Sequence, residues 1–193
     1  MTTDIRKLLK DPSLFKEEAF IMDLFYDKSN AVEPISERTP IFRNIHISNV
    51  TASNVKKAGT IRGITEMPIQ NISFSNININ AQEGFTVNTV KNFEFHDVKV
   101  NTSTGSSFEL EDTSNFIMDN VATASPIKDI PVIHLKNAFN GMVNNNFPMV
   151  LTPLFIQAEG KQTREIFLKN NVFTNVTTVV KKELDLNKKA VIE

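Results

Sequence analysis

The stretch Ile69-Gln70-Asn71-Ile72-Ser73-Phe74-Ser75-Asn76-Ile77-Asn78-Ile79-Asn80 decides the reading of this chain. Ile72 and Phe74 alternate with Ser73 and Ser75, the period of two that places alternate side chains on opposite faces of a strand. Asn76 interrupts the alternation. The apolar set resumes at Ile77 and Ile79, one residue out of phase. A shift of one residue in a strand means a bend or a change of direction. The stretch therefore reads as a strand, a corner marked by Asn, and a second strand.

The pattern recurs six times. With Asn71 as position zero, the zero positions are Asn44, Asn71, Asn92, Asn115, Asn140 and Glu165, separated by 27, 21, 23, 25 and 25 residues. Position plus five holds Asn49, Asn76, Asp97, Asn120, Asn145 and Asn170. Plus one holds Ile45, Ile72, Phe93, Phe116, Gly141 and Ile166; plus three holds Ile47, Phe74, Phe95, Met118, Val143 and Leu168. Plus four is polar throughout, and Gly141 and Glu165 are the departures. A further strand is expected before each repeat, at Thr60 to Ile64, Phe85 to Val90, Ser107 to Glu111, Val132 to Leu135 and Leu154 to Gln157.

A fixed period of this length marks a solenoid, whose units must stack to bury their apolar face. No unit contains a helical apolar period, and the Leu-x-x-Leu-x-Leu frame of leucine-rich repeats is missing. The expectation is all-β: a right-handed, single-stranded parallel β-helix of about seven coils, forming one domain over residues 1–193. In-register stacking would place Asn amides about 4.8 Å apart, close enough to hydrogen-bond along a column. The columns are expected to satisfy polar groups buried at the corners.

Bulk properties narrow the function. Lys and Arg number 21 and Asp and Glu 22, for a formal charge of −1, which gives no electrostatic case for nucleic acid or an anionic membrane. No Cys is present, so disulfide frameworks and thiolate metal sites are excluded. No apolar run approaches the ~20 residues needed to span a bilayer. The N-terminal residues lack the apolar core of a signal peptide. Fifteen Phe against one Tyr and no Trp point to rings stacked in a core, not to a sugar-binding platform.

The ends and loops are less regular. Residues 1–17 read either as an N-terminal cap or as a degraded coil, and Glu18 to Phe25 as a strand leading to Tyr26. An uncovered end would leave strand edges open to association. Ser29 to Pro40 and Ala122 to Pro131, each with two Pro, are expected loops. The charged stretch 181–193 is expected to be a tail or a cap on the last coil.

The run Ser36 to Val50, with Thr39-Pro40-Ile41-Phe42-Arg43-Asn44-Ile45-His46-Ile47-Ser48-Asn49 at its centre, resembles the C-terminal coils of glycoside hydrolase family 28, the polygalacturonases. Gly63-Ile64-Thr65-Glu66-Met67-Pro68-Ile69-Gln70-Asn71-Ile72 continues the match. The resemblance implies a pectin-lyase-like β-helix and hydrolysis of α-1,4-galacturonosyl bonds in pectin. It also implies a periplasmic or extracellular setting, a pectic polysaccharide or oligogalacturonide as partner, and a substrate-contacting role for Tyr26. The family's catalytic signatures, Asn-x-Asp, Asp-Asp, Gly-His-Gly and Arg-Ile-Lys, lie upstream of the matched coils, and none occurs in this chain. The expectation is a chain inactive alone, with no catalytic residue, cofactor or metal assigned; the alternative is a non-catalytic β-helix that binds a carbohydrate or a protein.

Glu109 and Glu111 are the carboxylates best spaced to rebuild a site, with Cα atoms about 7 Å apart on one strand face. Their ordinary role is a solvated outer face over inward Phe108 and Leu110. His46, His96 and His134 are too scattered to form a metal set.

Overall fold

The computed structural model describes residues 18–24, 34–37, 39–183, 186 and 190–192. Twelve strands are present among them: β1 (Ile21–Asp23), β2 (Arg43–Arg62), β3 (Ile69–Asn88), β4 (Val90–Thr102), β5 (Phe108–Glu111), β6 (Ser114–Ala122), β7 (Ile133–Lys136), β8 (Phe139–Asn144), β9 (Thr152–Glu159), β10 (Arg164–Lys169), β11 (Val176–Lys182) and β12 (Val191–Ile192). Every pairing between them is parallel. The chain is an all-β parallel β-solenoid of about six turns, not seven. The seventh coil sought in residues 1–17 lies outside the described residues.

The coils stack into three faces, and the third, after the plus-five corner, holds Val50, Ile77, Val98 and Val121 in register. The first is formed by β1, the ends of β2 and β3, β5, β7, β9 and β11, where Thr86, Glu109, His134, Gln157 and Lys181 stand in register. The second is formed by the zero-to-plus-four strands, where Ser73, Glu94, Ile117, Met142 and Phe167 stand in register. The expected strands of the first face are found to within one or two residues.

The inward columns match the repeat. Ile72, Phe74, Ile77 and Ile79 are buried, while Ser73 and Ser75 are half-buried on the outside. Phe20, Phe74, Phe85, Phe93, Phe95 and Phe108 form a continuous aromatic stack, with centroids 4.6 to 6.1 Å apart. Offset and edge contacts of this kind add about 0.5–1.5 kcal/mol per pair beyond area burial. The rings are not confined to the core, however. Phe147 is 49% exposed, and Phe167 faces outward from β10, half-buried.

Gly141 keeps the plus-one position but gives up its volume. The ring of Phe116, one coil earlier, fills that space: a Cβ on Gly141 would lie 2.1 Å from its Cζ. Gly59 stands in the same relation to Phe85, at 2.5 Å from Cε1.

The Asn columns form, but for a different reason from burial. Asn71 donates to Asn44, Asn92 to Asn71, Asn115 to Asn92 and Asn140 to Asn115, at 2.7 to 2.9 Å. These residues are exposed. What they share is a left-handed backbone: all twelve zero and plus-five positions have φ between 50° and 61°. Asn tolerates that region far better than other residues with a Cβ, because its short side chain bonds locally. A further left-handed column, Thr89, Asp112, Asn137 and Gly160, turns the chain from the first face to the second. Among the described residues the fully buried Asn is Asn146. It accepts from the Val121 backbone N–H at 2.8 Å and donates to Asn144 O and Asn171 Oδ1 at 2.9 Å.

The described residues of the C-terminal stretch pack on the last coils. Val191–Ile192 adds β12 to β10, and Leu186, Ala190 and Val191 are buried. At the other end, the Arg43–Ser53 edge of β2 has no strand on its outer side among the described residues. Ile45, Ile47, Val50 and Ala52 there are only half-buried, although their partners in β3 are fully buried. No helix among the described residues is long and apolar enough to cross a membrane.

Candidate functional site

The first face carries Glu109 and Glu111 on the outer side of β5, as the alternation requires. Glu111 is engaged: Asn88 Nδ2 donates to it at 2.9 Å, and Lys136 Nζ lies 2.6 Å from its Oε1. The Glu111 hydrogen bond holds the Lys136 pKa above its ordinary value. Arg62 donates through Nε to Asp23 at 2.9 Å, and this bond raises the Arg62 pKa. His134 Nε2 approaches Glu159 Oε1 to 3.3 Å without the alignment of a hydrogen bond. Glu109 lies apart from that network, in a cleft of about 270 Å³ beside Lys57, Glu83 and Thr104. Tyr26, the residue expected to touch substrate, lies outside the described residues, as does the end of the strand expected up to Phe25.

The three histidines remain apart. His46 Nδ1 bonds Ser73 Oγ at 2.7 Å. His96 sits on the second face between two carboxylates, with Nε2 2.9 Å from Glu94 and Nδ1 3.1 Å from Asp119. Its two ring nitrogens point to different carboxylates, so no shared point is offered to a metal. No metal-holding group of His, Asp and Glu occurs among the described residues. Burial pulls the His96 pKa down, but the bonds to Glu94 and Asp119 together outweigh it and hold the imidazolium above its ordinary range. Asp119 also accepts from Asn144 and Asn145, at 3.1 and 2.7 Å.

The second face holds a groove of about 510 Å³, which the sequence pattern did not lead us to expect. Its floor is apolar: Ile117, Met142 and Phe167 occupy the outward plus-two position in three successive coils. Earlier coils have His46, Ser73 and Glu94 there. One wall is the ladder of Asn92, Asn115 and Asn140 amides, and Glu94 and Lys169 complete the rim. The available signal was the change from polar to apolar along the plus-two column, which a search for catalytic motifs passes over.

The arrangement offers stacked hydrogen-bonding amides, an apolar floor and few free charges, which is the chemistry of a binding surface. Family models, curated proteins and solved structures contain no match to this chain.

Proposed function

We propose that this chain supplies the C-terminal coils of a β-helical glycoside hydrolase of the polygalacturonase type, and that alone it binds a pectic polysaccharide without cleaving it. The observation that carries this reading is the Arg43–Ser53 edge of β2, which pairs with β3 on one side and with no strand on the other among the described residues. Its inward row is half-covered, and Asn44 accepts from Asn71 at the end of the amide ladder. A further coil of the same repeat fits that edge, and the resemblance puts the family's catalytic carboxylates in coils upstream of it. Glu109 and Glu111 are a poor substitute, since Glu111 is tied to Asn88 and Lys136. An inverting hydrolase needs both an acid and a base free to move protons.

The test is to run the purified chain through a gel containing polygalacturonate, and to incubate it with short galacturonides while assaying new reducing ends. Retardation with no new ends is expected, because positioned acid and base groups each supply about 100- to 10,000-fold in rate. New ends that vanish in Glu109→Gln or Glu111→Gln overturn the non-cleaving half. Unretarded migration overturns the binding half.

A second reading is a β-helix that binds a protein partner. It is favoured by the outward row Phe147, Met149 and Leu151, the last two each 75% exposed, since exposed apolar patches mark interaction sites.

A further inference from the structure

The first face carries ion pairs at Asp23–Arg62, Glu111–Lys136 and His134–Glu159. On the second they centre on His96, and of the two clefts the one on this face is the larger. The floor of its groove, Ile117, Met142 and Phe167, lies outward on adjacent strands, so the three side chains form one strip along the solenoid axis. Outward positions of a soluble sheet are ordinarily polar. Three apolar ones in succession, rimmed by polar groups, are the composition of a ligand site.

The wall chemistry narrows the ligand. Asn92 and Asn115 each use one N–H and Oδ1 to bond their neighbours, and Asn140 uses one N–H to bond Asn115. An Asn amide has a second N–H and a second lone pair, so each coil leaves one donor and one acceptor beside the apolar strip. A ligand that matches has an apolar ring face and hydroxyls around its edge, which describes a pyranose.

The charges narrow it again. Glu94 on the rim is paired with His96 at 2.9 Å. Arg164, on the same strand as Phe167, has its guanidinium 4.3 Å from the centre of the Phe139 ring. Lys169 is the exposed cation on the groove, and no carboxylate among the described residues pairs with it. The complement of an apolar strip, an amide wall and one cation is a sugar ring bearing a carboxylate.

We propose that the groove over β4, β6, β8 and β10 is a binding subsite for a pyranuronate ring, with its apolar face on Met142, its hydroxyls toward the Asn115 and Asn140 amides and its carboxylate toward Lys169. This rests on the pectic reading for the identity of the ligand, but it places a contact on a different face from the carboxylates of β5. The side chains concerned are outside the packed interior, so they can be changed without opening the core.

The experiment is amide NMR of the full chain titrated with tri-galacturonate, and with a neutral gluco-oligosaccharide of equal length. Shifts are expected at Asn115, Asn140, Met142, Phe167 and Lys169 with the acidic ligand. Met142→Glu should abolish them while leaving the melting temperature of the chain unchanged. Lys169→Gln should weaken binding about tenfold, the loss of one charge-assisted hydrogen bond. Shifts confined to β5 and β7 overturn the inference and leave the pectic reading standing. Equal shifts with the neutral ligand overturn the role of Lys169. Groove shifts in a chain that polygalacturonate gels do not retard support the subsite and overturn the polymer-binding reading.

Discussion

The Phe116 ring occupies the volume that a side chain at Gly141 would need, at 2.1 Å from the Cβ that position would carry. The two residues are neighbours in one inward column, paired through β6 and β8. The backbone of Gly141 does not require glycine, since its φ is not in the left-handed region. Its smallness is purely a matter of packing. Gly141→Ala should therefore destabilise by about 1–3 kcal/mol, the usual cost of overpacking a core. The double variant Phe116→Leu/Gly141→Ala should lose less than the sum of the single changes, because the neighbours couple. Urea titrations of the four chains measure this, and strict additivity would contradict the packing account.

Glu165 stands at the end of the zero column with φ 55°, in a conformation that Asn holds in the five coils before it. Its carboxylate cannot donate, so the ladder stops at Asn140. Glu165→Asn should raise stability by about 1 kcal/mol, by relieving the left-handed strain and adding one ladder bond. A fall in the unfolding midpoint would show that the column does not extend as described.

Asn76→Ala and Asn78→Ala separate the corner from the strand. Asn76 is left-handed and donates to Asn49 at 2.7 Å. Asn78 is exposed on a regular strand. The first change should cost about 2–3 kcal/mol, from strain and the lost bond together. The second should stay within about 0.5 kcal/mol. Asn76→Gly restores the backbone freedom but not the amide, so it should fall between the two.

His96 makes stability depend on pH. Its folded pKa is raised, so the folded state binds the proton more tightly than the unfolded chain does. The resulting stabilisation is fully present below the ordinary histidine value of 6.5 and is lost as pH rises through the raised folded value. His96→Gln should thus lose more stability, relative to the parent, at about pH 5.5 than at about pH 8.5. Melting curves at both pH values check it, and the opposite order would mean that burial outweighs Glu94 and Asp119.

The parts of the fold that could be read from the chain were those set by period. Plus one and plus three point inward because alternation leaves no other choice once Ile72 and Phe74 are placed. The Asn positions were legible; their cause was not, because the letter Asn suits both a buried ladder and a left-handed corner. The Thr89, Asp112, Asn137 and Gly160 column escaped notice because four different residues occupy it. Compensation between Phe116 and Gly141 needs the third dimension, since 25 residues separate them. For the candidate site, the carboxylates of β5 were found as an outward pair, but their engagement by Asn88 and Lys136 depends on neighbouring coils. The groove was visible only as a drift in one column, from His46 and Ser73 to Met142 and Phe167.

The near-constant spacing of the coils has a kinetic consequence. Each strand of the second face pairs with one 21 to 27 residues away, so closing every coil fixes a loop of similar length and similar entropy. Once one coil has formed, each successor docks on a finished edge, and folding proceeds by propagation from a nucleus as in a one-dimensional lattice. The coils from Phe74 to Phe108, where the rings stack, are the place for that nucleus to start. Unfolding should then run inward from the termini, and hydrogen-exchange protection should decline stepwise from those coils toward β11 and β12.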